Sequence, residues 1–133
     1  MTHTGRTVVA ALSVLIVLQF VMLLALYAAV PPHPPVTTPL FGMAPFIGAS
    51  IAVSTAAIVI GPLQSRAGRA LSLIGVVLAL VSYGPQKYFD PQFGLIWPAV
   101  IAAQLAVVVI VIRLVGELRK WAGFAAHVSQ CPG

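Results

Sequence analysis

The sequence predicts an all-α integral membrane protein, an antiparallel bundle of four transmembrane helices with both chain ends in the cytoplasm. Three observations carry that prediction. Apolar residues make up 60% of the 133 residues and charged residues only 7%, against about 25% charged in an ordinary soluble domain. Four apolar segments, at about 7–30, 42–61, 70–89 and 95–116, are divided by short connections. The basic residues gather on one side of those segments. A chain of this length has room for a single domain, so 1–133 is read as one unit with 117–133 as a cytoplasmic tail.

The first segment, Thr7 to Val30, contains one strongly polar residue, Gln19. It is long enough to span, since about 20 apolar residues cross the hydrocarbon core. It exceeds the apolar core of a signal peptide and no small-residue cleavage site follows it, so it reads as a retained helix. The prolines of Pro31-Pro32-His33-Pro34-Pro35 end it sharply, because proline cannot continue a helix and favours polyproline II. Gly42 to Gly61 qualifies on length as well.

The third segment is the short one. From Ala70 to Gly84 the helical rise gives only about 22 Å, less than the roughly 30 Å hydrocarbon core. Gly84 precedes Pro85, a position that disfavours α geometry. Three routes remain open: a proline-kinked helix continuing to Phe89, a helix lengthened by snorkelling of Arg66 and Arg69, or a re-entrant hairpin. Charge favours a full span. Arg6, Arg66, Arg69, Arg113, Arg119 and Lys120 collect on one face of the membrane only if all four segments cross, with Lys87 alone opposite. Cytoplasmic loops carry that excess. The fourth segment runs from Leu95 to Gly116, and a short helix carrying Trp121 and Phe124 is expected after it.

Continuous backbone pairing makes helices the default inside lipid, and the runs lack the alternation of barrel strands. Isolated basic residues at segment ends differ from a basic groove with stacking aromatics, so nucleic acid is not an expected partner. The lone Cys131 excludes an internal disulfide or a multi-cysteine metal centre.

No Asp, Glu, Lys or His lies in the central part of a segment, where proton relays and ion paths place them. His3, His33 and His127 all fall outside the spans, so neither haem ligation nor a metal site is expected. No cofactor and no catalytic residue is assigned. The deep polar residues are Gln19, Gln104, Ser50, Ser54 and Thr55. Gln19 and Gln104 lie at similar depth and are read as a hydrogen-bonded pair or as a polar lining for a solute. Ser50, Ser54, Ala57 and Gly61 share one face of the second helix, and Ser72, Gly75, Ala79 and Ser82 one face of the third. Small residues let backbones approach closely, so a tight antiparallel hairpin of helices two and three is expected, with Ser54 and Ala79 close.

At the opposite end, Gln86, Lys87, Tyr88, Phe89 and Asp90, with Trp97 following, combine aromatics with an isolated pair of charges. They read as membrane-boundary aromatics or as a contact for a partner or a lipid. Three functional classes follow. The leading one is a non-catalytic subunit or accessory protein of a larger membrane assembly, with the lipid bilayer and a membrane protein as partners. The others are a small homo-oligomeric channel or transporter and a lipid- or quinone-binding membrane protein. The Ala/Val-rich composition suggests the inner membrane of a bacterial cell.

Overall fold

The computed structural model describes residues 3–30 and 40–128. The expectations about Pro31–Pro35, His33 and Cys131 lie outside those residues. Within them the chain is helical: α1 is His3–Ala28, α2 Leu40–Ile60, α3 Arg66–Tyr83 and α4 Phe93–Val128, with a 3-10 helix, Pro85–Phe89, between α3 and α4. Four helices are long and apolar enough to cross a membrane. Their outward faces are as apolar as their inward ones: Val17, Phe20, Leu24, Val59, Val77, Leu105 and Ile112 are all exposed. A continuous apolar exterior of this extent is untenable in water and ordinary against lipid, and the chain is accordingly a multi-pass membrane protein.

Each helix stops for a local reason. α1 ends two residues before the proline run. Ala29 takes a left-handed φ of 52°, and the Val30 amide donates back to the Ala25 carbonyl at 3.3 Å, a Schellman-type close. α2 ends at Gly61, whose φ of +90° favours glycine. A compact turn follows in which the Gln64 amide bonds the Gly61 carbonyl at 3.3 Å. Ser65 then caps α3, its hydroxyl accepting the Gly68 amide at 2.9 Å. This satisfies one of the free N–H groups at the helix start.

Two sequence expectations are corrected here. α3 begins at Arg66 rather than 70, so its 18 residues rise about 27 Å and nearly reach across unaided. It reaches back to include Arg66 and Arg69, as the snorkelling route has it, and does not continue as a kinked α-helix to Phe89. It stops at Tyr83, because Gly84 adopts ψ 179° ahead of Pro85, the extended geometry a following proline imposes. The chain resumes as the 3-10 helix. The second correction concerns the tail: no separate short helix follows Gly116. α4 runs unbroken for 36 residues, about 54 Å, so its C-terminal turns extend well past a 30 Å hydrocarbon layer.

The core is continuous, formed by Val8, Leu12 and Leu15 of α1, Ala57 of α2, Val76 and Ala79 of α3, and Val100, Ala103, Val107 and Ile110 of α4. The most extensively packed pair is α2 with α3. At its tightest point a Cβ built on Gly75 would sit 2.9 Å from the Ser54 hydroxyl. That contact lies one turn before Ala79. At the turn, a Cβ on Gly68 would collide with the Gly61 carbonyl, so the α2–α3 connection closes only around glycine.

Candidate functional site

The polar side chains of the bundle are placed at two levels. Deep between α1 and α2, Gln19 is fully buried, and its amide Nε2 donates to the Ser50 hydroxyl at 2.6 Å. Among the described residues, Gln19 Oε1 and the Ser54 hydroxyl have no partner. Ser72, also buried, donates to the Gly68 carbonyl at 2.9 Å. Gln19 does not meet Gln104, as the sequence reading had allowed. The buried partner at its depth is the serine of α2, and Gln104 faces a different helix.

Gln104 belongs to the second level, where α3 ends. Its Oε1 accepts from the Tyr88 hydroxyl at 2.8 Å, and its Nε2 donates to the Tyr83 carbonyl at 3.4 Å. One amide thereby ties α4 to both the end of α3 and the 3-10 helix. Tyr83, the last residue of α3, turns inward. It is buried and donates its hydroxyl to the Leu18 carbonyl of α1 at 2.7 Å. The sequence signal for that role was its place four residues after Ala79 on the small-residue face, one residue before the glycine break.

The segment after Gly84 is braced at nearly every residue. Gln86 donates to the Leu80 and Val81 carbonyls at 3.0 and 2.8 Å, occupying carbonyls that the end of α3 leaves unpaired. Lys87 and Asp90 form an ion pair at 3.1 Å. Asp90 also accepts the Gln92 amide at 2.9 Å, and the Phe93 amide donates to the Asp90 carbonyl at 2.9 Å. The Lys87 and Gln92 bonds, which reach the carboxylate itself, favour its ionised form. The Gln92 amide first, then Lys87, hold the Asp90 carboxyl below its ordinary range. The Tyr88 and Phe93 rings pack with centroids 5.1 Å apart. From this braced turn Phe89 projects 92% exposed, and Trp97 is exposed beyond it.

Beside the turn lies a crevice of about 90 Å³ lined by Leu18, Met22, Ser82, Tyr83, Lys87 and Ile96, among others. A second, of about 310 Å³, shares Met22, Ser82 and Lys87 and reaches Met43 and Phe46 of α2. Among the described residues no cluster of three His, Cys, Asp or Glu is placed to hold a metal ion. Comparison with known protein families, with characterised proteins and with solved structures gave no match.

Proposed function

We propose that the protein is a non-catalytic accessory subunit of a larger membrane assembly, and that the braced turn 85–93 is its docking surface. The supporting observation is the pairing of rigidity with exposure at Phe89. A surface aromatic held out on a turn with so many internal bonds has little conformational freedom left to lose on binding. Aromatics in such positions are where interfaces concentrate their energy. Lys87, Tyr88, Asp90 and Trp97 surround it and would fix orientation. In this reading the four helices run antiparallel, the arginine-rich end faces the cytoplasm, and the docking turn faces outward across a bacterial inner membrane.

The test is the mass of the gently solubilised complex, taken by native mass spectrometry from its own membrane. Other subunits should be bound in fixed ratio. Phe89→Ala should release them, at a cost of about 2 kcal/mol or more in association, while the helical content of the chain stays unchanged. A monomer or homo-oligomer with no other subunit overturns the proposal. Flux measurements on Gln19 and Gln104 variants would then examine the channel alternative. The paired crevices beside Lys87 support a second reading, a binder of a lipid or quinone headgroup. A small molecule retained in the same spectrum and lost on Lys87→Ala would favour it.

A further inference from the structure

At the opposite end of the bundle, α3 and α4 do not close on each other. Arg66, Arg69, Ala70 and Leu73 of α3 face Val111, Leu114, Val115 and Leu118 of α4 across a groove of about 420 Å³. That volume falls in the ordinary range for small-ligand sites, roughly 300–1,000 Å³. The groove is apolar along its length and cationic only where Arg66 and Arg69 stand. Arg69 lies over the Trp121 ring, 5.6 Å from its centroid, and tryptophan is a residue type that favours the membrane–water boundary.

The charges at its mouth are uncompensated. The chain has only two acidic residues, and Lys87 engages Asp90 while Lys120 engages Glu117. Neither Arg66 nor Arg69 therefore has a carboxylate partner among the described residues. Arginine stays charged at any physiological pH, and its planar fork of donors fits phosphate oxygens. An apolar groove ending in two guanidiniums without a carboxylate partner is complementary to an amphiphile with an apolar chain and an anionic head. We propose that this groove is a specific site for an anionic phospholipid, with an acyl chain along Leu73, Leu114 and Leu118 and the phosphate held by Arg66 and Arg69. Basic recesses between helices at this boundary are recognised settings for such headgroups.

Purified full-length chain, stripped of lipid in detergent, is offered phosphatidylglycerol or phosphatidylcholine at equal concentration, and bound lipid is counted by native mass spectrometry. Phosphatidylglycerol should bind more tightly than phosphatidylcholine. Arg66→Gln with Arg69→Gln should weaken phosphatidylglycerol about 30-fold, taking about 1 kcal/mol per basic residue, and leave phosphatidylcholine unchanged. Arg113→Gln with Arg119→Gln removes equal charge from the same end and should weaken it far less. Equal binding of the two lipids, undiminished binding by the Arg66/Arg69 variant, or equal loss in the Arg113/Arg119 variant overturns the site. Should the Arg66/Arg69 variant fail to fold, Ala70→Phe decides. It fills the groove with every charge in place, so loss of phosphatidylglycerol supports the site and retention refutes it.

Discussion

Along α3, the flank turned to α2 carries Ser72 and Gly75 fully within the bundle, whereas the flank turned to α4 sets Ala70 and Leu73 beside an open groove of about 420 Å³. One helix thus meets two neighbours on different terms. Toward α2 the side chains are small enough for backbone to approach backbone, and the Ser54 hydroxyl lies only 2.9 Å from where a Cβ of residue 75 would be. Toward α4, at the arginine end, branched residues on both helices hold the backbones apart. In water such a groove would be closed by the hydrophobic effect. In lipid, acyl chains compete equally for apolar surface, so only close packing and polar bonds draw helices together. The closed seam is built into the protein, and the open one is left for the membrane.

The largest expected effect breaks the closed seam. Gly75→Leu places a four-carbon side chain where 2.9 Å separates even a first carbon from Ser54. Overpacking of this kind costs about 3 kcal/mol or more. Unfolding in mixed micelles, followed by circular dichroism against increasing denaturing detergent, should show a much earlier midpoint. Leu73→Phe, which adds three carbons on the open flank, should move that midpoint by no more than about 0.5 kcal/mol. Equal losses from both substitutions would erase the distinction between the two flanks.

A smaller effect tests whether polar bonds supplement the seam where small residues run out. Tyr83 is the last residue of α3, and its hydroxyl reaches the Leu18 carbonyl at 2.7 Å. Tyr83→Phe keeps the ring and removes the bond, so a loss of about 1 kcal/mol is expected in the same assay. The carbonyl is within a helix and retains its backbone partner, which limits the cost. A neutral result would mean that packing alone holds the end of α3 against α1.

These contrasts also indicate what could be read in advance. The number of helices was legible because lipid-spanning segments need long apolar runs, and nothing in 133 residues masks them. The small-residue stripe was legible because helical periodicity places Ser72, Gly75, Ala79 and Ser82 together without regard to tertiary context. The start of α3 was legible only as one of three routes, because hydropathy discounts Arg66 and Arg69 although Ser65 is a strong N-cap type. The unbroken course of α4 was missed for the converse reason: Gly116 was read as a stop, yet a lone glycine inside a helix costs only about 1 kcal/mol. The partners of Gln19 and Gln104 were out of reach. Depth along a helix is a property of sequence, but azimuth relative to other helices depends on packing. The crevices and the groove are in the same category, since a void is set by what two helices fail to fill.

The smallest expected effect lies in the braced turn, where neither close packing nor burial supplies the hold. Asp90 accepts the Gln92 amide and pairs with Lys87, and its carboxyl is held below the ordinary value. A depressed folded-state value means that the folded protein favours the ionised form. The resulting stability is present above the unfolded carboxyl value of about 3.9 and is lost as pH falls through the lower folded value. The pair stands near the surface, where such interactions are worth only a fraction of a kcal/mol. Wild type and Asp90→Asn should therefore differ slightly in melting midpoint at pH 7, wild type being higher, and the gap should close as pH falls below about 3.9 and through the lower folded value. A gap that does not narrow as the carboxyl is protonated would assign the hold on the turn to the shape of residue 90 rather than its charge. In that case Phe89 would keep its fixed presentation across the whole pH range, and docking through it would be independent of pH.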